Sequence, residues 1–377
     1  MTHPFFQKSR ASFISLMSNK VKKEGGINCA QGIPGFSPPS KLLSLLGESA
    51  GKPFHQYAPG RGLEKLKERI CNSVLKESSP KNIIITNGAT EAVSLVYQYI
   101  SMLKPKTTAL VFDPPYESHR YLPLLHGHNL ISFSRKKSEA PDFNRLEKIF
   151  VEKNITMAFL ASPGNPHGLI WSSDEISTLI NLCKKHNIFL ILDAVYREIY
   201  FDLKPSYPFS IFHPGVFYVD SFSKMLSVTG WRIGFIHAHE SHISALANIH
   251  DYTGLSTASI LQHVISEYLK NPGNIKTYTE RIRKKSGNSF KAAADILKKA
   301  GCFIPPTHGG YFIWAKLPPP YYDGVEFAEK LFAEEAVAVV PGIHFSPEAN
   351  QFIRINIAQE TDEIIEAACR ISSFITT

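Results

Sequence analysis

Between residues 81 and 240 the sequence alternates short, almost purely apolar runs with longer amphipathic ones. The runs NIIIT (82–86), TALVFD (108–113), ITMAFLAS (155–162), IFLILD (188–193), VFYVD (216–220) and IGFIHA (233–238) each predict a buried strand. ATEAVSLVYQYI (89–100) and SDEISTLINLCKKHN (173–187) read as helices. The second opens on a Ser/Asp cap signal and keeps Ile176, Leu179, Ile180 and Cys183 on one face. Strands alternating with helices predict an α/β fold, a mostly parallel sheet covered on both faces. Ligands of such sheets bind beyond the carboxyl ends of the strands.

The flanks differ. Residues 274–300 read as one long helix, 302–316, 336–340 and 351–357 as strands, 361–374 as a closing helix, and LPPPYYDG (317–324) as a loop. This predicts a smaller α+β domain over 271–377, a large domain over 41–270, and an N-terminal segment, 1–40, packing with the small domain.

Composition narrows the function. No apolar run is long enough to span a bilayer, and MTHPFFQKSRASF lacks the apolar stretch and cleavage site of a signal peptide. The five cysteines are scattered without a C-x-x-C pair, which argues against a metal cluster or a disulfide framework and fits a reducing cytoplasm. The net charge of +8 comes from dispersed lysines with no nucleic-acid-binding signature. A basic balance also suits small anionic ligands.

Polar residues cluster where strands end. Asp193 closes an apolar strand, with Tyr196 three positions on. Asn165 sits in SPGNPHG after another strand. In TNGATEA (86–92), Gly88, Ala89 and Thr90 stand where a strand meets a helix, a place whose free N–H groups suit a phosphate. SFSKMLSVTGWRIG (221–234) sets Ser221, Ser223, Lys224 and Arg232 at fixed offsets. Singly, these have plain readings as a cap, a turn or a surface loop. Together, two hydroxyls and a guanidinium suit a phosphate, a lysine among cations becomes an amine nucleophile, and an Asp can face a protonated ring nitrogen. That set describes a pyridoxal phosphate (PLP) site, with Lys224 as the Schiff-base lysine.

The chain resembles the fold-type I, PLP-dependent class I/II aminotransferases from about residue 27 to 358. SFSKMLSVTGWRIG is similar to that family's lysine segment. DAVYREIYF resembles its Asp-x-x-Tyr segment, with Ala194 where Glu is common, and SPGNPHG its N-P-x-G turn, with His167 where Thr is common. The resemblance implies a large PLP domain with a mostly parallel seven-stranded sheet covered by helices, plus the smaller α+β domain. In DPPYESH it implies that Tyr116 stacks on the cofactor ring. In HQYAPGRGLEKLKERI (55–70) it implies that Tyr57 reaches the phosphate of a partner subunit, hence a homodimer with shared active sites. In FIRINIA (352–358) it implies that Arg354 holds the substrate α-carboxylate. INCAQGIPGFSPP (27–39) resembles the start of the kynurenine and methionine aminotransferase branch, which implies Gly32 and Ile33, with Asn165, beside the substrate.

The mechanism implied has Lys224 holding PLP and shuttling the α-proton. Asp193 keeps the ring nitrogen protonated, and Tyr196 and Asn165 bond the ring hydroxyl oxygen. The expected activity moves an amino group from an L-amino acid to a 2-oxoacid, with neither nucleic acid nor membrane as partner. A PLP-dependent C–S β-lyase is the alternative. A non-catalytic PLP-binding regulator is a poorer one, because only about 26 residues precede the resemblance. Residues 233–269 contain no Arg or Lys, and HDYTGLSTASILQ (250–262) offers Tyr252, Thr253 and Leu255 where some aspartate-specific members carry an arginine. A neutral or aromatic amino donor is therefore expected. Arg61 is the competing source of charge.

Overall fold

The structure, a computed structural model, describes residues 12–75, 78–135, 140–207 and 213–377. Residues 1–11 of the stretch read for a signal peptide lie outside the described residues. In chain order the strands are β1 (Ile27–Asn28), β2 (Ile83–Thr86), β3 (Thr108–Asp113), β4 (Asn129–Ser134), β5 (Met157–Ala161), β6 (Phe189–Asp193), β7 (Val216–Ser221), β8 (Gly234–His237), β9 (Phe312–Lys316), β10 (Val337–Ala338), β11 (Val340–Pro341) and β12 (Phe352–Asn356).

Among the described residues, seven strands form one sheet in the order β2–β8–β7–β6–β5–β3–β4. All its pairings are parallel except those of β8, which runs antiparallel to both β2 and β7. Both faces are buried, which is why the strands read as unbroken apolar runs. Ile84, Val111, Phe159, Ile191, Val219 and Ile236 pack into one core. Their neighbours Ile85, Leu110, Leu160, Leu192, Tyr218 and Phe235 pack into the other. Helices Ala89–Leu103 and Ser173–Lys185 fall where the sequence predicts them. The second starts with a capping box between Ser172 and Glu175. β4 escapes the sequence reading because it is an edge strand, bonded to β3 alone and largely open to solvent.

A second, antiparallel sheet has the order β11–β12–β9. It packs with the long helix Pro272–Lys299 and the closing helix Thr361–Thr376 around its own core of Ile313, Ala315, Ile353, Ile355, Leu297 and Ile371. The N-terminal segment joins this part of the molecule through parallel pairing of β1 with β10.

Two expectations are corrected here. The strand expected over 302–316 exists only as Phe312–Lys316, with Phe303 making a single bridge to Lys316. Pro305–Pro306 and Gly309–Gly310 interrupt the run, and proline has no N–H for a ladder. The run 336–340 is not one strand: Val337–Ala338 pairs with β1, whereas Val340–Pro341 pairs with β12.

Candidate active site

Strands β2, β3, β5, β6 and β7 all end on one edge of the large sheet, and β8 starts there, with Gly234 paired to both Ser221 and Thr86. Beyond that edge lies a cavity of about 280 Å³. It is lined by Gly32, Ile33, Ala89, Thr90, Tyr116, Asn165, Asp193, Tyr196, Ser221, Ser223, Lys224, Arg232 and Arg354, residues singled out from sequence, and also by Ile14 and Glu117, which were not.

One wall is a polar cradle. The helix Ala89–Leu103 starts against the cavity, and its first N–H groups have no intrahelical partners. Gly88 precedes it at φ +80°, and a Cβ there would lie 2.5 Å from Arg232 Nη2, so a side chain at 88 would displace the guanidinium. Arg232 is itself left-handed (φ 55°, ψ 48°) and donates to the carbonyls of Thr229 (3.0 Å) and Asn87 (3.2 Å). Ser223 Oγ is buried without a hydrogen-bond partner. A donor left so in a native fold calls for a ligand or water.

Lys224 projects from the short helix Phe222–Met225, directly after β7. Its Nζ donates to the Gly32 carbonyl at 2.6 Å, linking the N-terminal segment to the sheet edge. Burial, then the charges of Arg354 and Arg232, push its pKa down to about 8, against the pull of Asp193. Ahead of it, buried Asp220 receives Arg197 Nε (2.5 Å), Tyr218 Oη (3.2 Å) and the Ser221 N–H (2.7 Å), which fixes the strand end that launches the lysine.

Asp193, at the end of β6, accepts from the Val195 N–H (3.1 Å), and its Oδ2 lies 3.3 Å from His119 Nε2. His119 was not foreseen. It lies three residues after Tyr116 on the same helix start, stacks on Phe159 and stands edge-on to Tyr116. Burial raises the hydroxyl pKa values of Tyr116 and Tyr196, so both phenols stay protonated at neutral pH.

Arg354, on β12, is 1% exposed. Nη1 donates to Asn165 Oδ1 (2.9 Å) and Nη2 to the Ala30 carbonyl (2.6 Å), while Nε is buried without a partner. Its guanidinium carbon lies 4.2 Å from the Phe312 ring centre and 4.9 Å from that of Phe345. Burial lowers its pKa to about 10, so it remains a cation at neutral pH. Among the described residues, no carboxylate comes within 4.0 Å of Lys224, Arg232 or Arg354. Three cations thus face one cavity without an ion-paired counter-charge.

The sequence matches the description "Aminotransferase class I and II" over residues 25–371. The chain belongs to the class I and II aminotransferase family. It is similar to an aspartate aminotransferase of Thermotoga maritima, 27% identical over 366 residues, 94% of this chain and 93% of that protein. Its fold superimposes on Thermus thermophilus aspartate aminotransferase with maleate at a TM-score of 0.91 and 21% identity, covering 99% of both chains. The aromatic aminotransferase of Pyrococcus horikoshii gives 0.87 at 23% identity, covering 96% of this chain and 98% of that one. This aminotransferase therefore shares its α/β architecture with those enzymes.

Not every expected residue lies at the cavity. Tyr57 is 83% exposed and lines a separate surface cavity with Phe54, Gln56 and Ser256. Arg61 is also exposed and donates to Ser244 Oγ (3.1 Å) rather than lining the site. His167, at the family's threonine position, accepts the Leu169 N–H on Nδ1 (3.0 Å) and packs against Gly164, where a Cβ would lie 2.2 Å from its ring. Burial, then Arg135, lower its pKa to about 4, so a neutral imidazole holds the turn that carries Asn165. Among the described residues no helix is long and apolar enough to cross a membrane.

Proposed function

We propose that this aminotransferase uses PLP to move an amino group from a non-acidic L-amino acid to a 2-oxoacid. The observation that carries the reading is the trio of unneutralised cations, Lys224, Arg232 and Arg354, around a cavity that also holds the orphaned Ser223 hydroxyl. A ligand with a phosphate and a substrate with a carboxylate supply the missing counter-charges. Arg232, Ser221, Ser223 and the N–H groups of Ala89 and Thr90 would hold the PLP phosphate, with Gly88 keeping the space clear. Asp193, supported by His119, would face the ring nitrogen, and Tyr116 would cover the ring. Tyr196 and the Asn165 amide N–H, free because Oδ1 already accepts from Arg354, would bond the ring hydroxyl oxygen. Bound PLP supplies an electron sink for charge developing at the substrate α-carbon.

The chain's own groups do the rest. Lys224 would hold PLP at its aldehyde carbon and, once freed as an amine, take and return the α-proton. Arg354 would hold the α-carboxylate by a bidentate pair, aimed by Asn165 and Ala30. Residues 41–270 form the PLP-holding unit in this reading and 271–377 the small domain, with which the N-terminal segment packs. Tyr57 completes the site of a second copy, because its ring is exposed and stands outside its own chain's active-site cavity. A reducing cytoplasm suits the free cysteines.

The donor preference rests on the absence of Arg and Lys from 233–269 and on Ile14 and Ile33 in the cavity wall. The likeness of 27–39 to the kynurenine and methionine branch points the same way. Aspartate, named for the Thermotoga relative, is the competing donor. The test is kcat/KM for aspartate, methionine and phenylalanine, read as half-reactions in the cofactor spectrum. Methionine or phenylalanine is expected to lead; a tenfold advantage for aspartate, roughly 1.4 kcal/mol, overturns the preference.

A further inference from the structure

Among the described residues, the charged side chains lining the cavity are Lys224, Arg232, Arg354, Asp193 and Glu117. On the reading above, the first four serve the cofactor, the α-proton and the α-carboxylate. Glu117 is left over. It opens the helix Glu117–Leu125, one residue after Tyr116, and its carboxylate is held from outside the large sheet. His344 Nε2–H donates to Oε2 at 2.6 Å, and Ser12 Oγ donates to the same oxygen at 3.2 Å. The Phe13 ring stands edge-on to His344, with centres 6.2 Å apart. Both donors go to Oε2; among the described residues Oε1 accepts no hydrogen bond. Burial works to raise the pKa of Glu117, but the His344 hydrogen bond and charge, Ser12 and Arg354 outweigh it and hold it below the usual range. The carboxylate is therefore ionised at neutral pH, and Oε1 is an open acceptor on a residue that lines the cavity.

We propose that Glu117 sets side-chain specificity: Oε1 accepts a hydrogen bond from an N–H or O–H on the donor's side chain, and its charge turns away a side-chain carboxylate. This rests on the aminotransferase reading of the cavity. Once Arg354 holds the α-carboxylate and Arg232 a phosphate, neither cation remains to offset a second substrate carboxylate beside Glu117. A carboxylate can only accept, so it meets Oε1 acceptor to acceptor, whereas an isosteric amide presents a donor.

Glutamine and glutamate, equal in shape, isolate this effect. In single-turnover half-reactions of the holoenzyme, glutamine is expected to exceed glutamate at least tenfold in kcat/KM. In Glu117→Gln the amide oxygen still accepts from His344, while the open atom becomes a donor, and the ratio is expected to fall at least tenfold. Calorimetric titration with the inert pair glutaramate and glutarate is expected to follow the same pattern in dissociation constants. Preference for glutamate in the wild type overturns the proposal. So does a ratio unchanged in Glu117→Gln while both rates fall together, which marks Glu117 as a structural tie. Failure of every donor, alanine included, overturns the reading of the cavity instead, and the calorimetric pair still decides the role of Glu117.

Discussion

Arg354 Nη1 stands 2.9 Å from Asn165 Oδ1, so a guanidinium on the three-stranded sheet is aimed by a turn at the edge of the seven-stranded one. Removing the guanidinium is expected to abolish a charge-assisted pair worth ~1.5–3 kcal/mol per bond. Arg354→Ala should lose roughly a hundredfold or more in kcat/KM for amino acids. Cofactor affinity, measured by equilibrium dialysis, should change far less. Comparable losses in both would move the carboxylate role elsewhere.

Lys224 carries a pH signature. Its folded-state pKa, about 8, lies below the ordinary 10.5. Between those values the unfolded chain binds more protons than the folded one, so this group adds stability as pH rises from 8 to 10.5. Below pH 8 the buried ammonium is a liability of roughly 3 kcal/mol. Cofactor-free Lys224→Met should therefore be more stable than wild type at pH 7, with the gap narrowing by pH 10. Urea titrations at both pH values measure it; a constant gap would show that Lys224 does not titrate there. Borohydride reduction of the holoenzyme should label Lys224 and no other lysine.

His119→Phe keeps an aromatic ring against Phe159 but removes the nitrogen 3.3 Å from Asp193. The buried carboxylate then loses its 3.3 Å polar neighbour, whose Nε2 makes no hydrogen bond among the described residues. The expected result is a lower denaturation midpoint together with weaker PLP binding. Stability falling while PLP affinity and the pH profile of kcat stay fixed would limit His119 to packing.

The exposed Tyr57 ring predicts shared sites. Lys224→Ala and Tyr57→Phe chains, each impaired alone, should regain activity on mixing, because some heterodimers hold one fully wild-type site. Sedimentation showing a fully active monomer would remove the idea.

Much of this was legible in the sequence because chemistry at a sheet edge leaves local marks. Lys224, Ser223 and Arg232 share one short segment, and Asp193 closes an apolar run that reads as a buried strand. Glu117, His119 and Ile14 were not legible. Their partners, His344, Asp193 and the cavity itself, lie 227 and 74 residues away or on no single element, and no periodicity records such meetings. The spacing of Tyr116 and His119, one helical turn, was the available signal for the histidine. β4 was missed for a different reason: an exposed edge strand carries polar residues that blur the apolar run.

The antiparallel run of β8 beside β7 has a consequence for how this enzyme can change. The chain leaves the sheet edge after Ser221 and must return to the same edge at Gly234, which pairs with Ser221. The interval from Lys224 to Arg232 is therefore a closed arch whose length is set by its two feet. Side chains along the arch can be exchanged, but an inserted or deleted residue would rotate one foot and part the amine from the guanidinium. Drift in this lineage should appear there as substitution at constant length, while insertions collect in the surface connections.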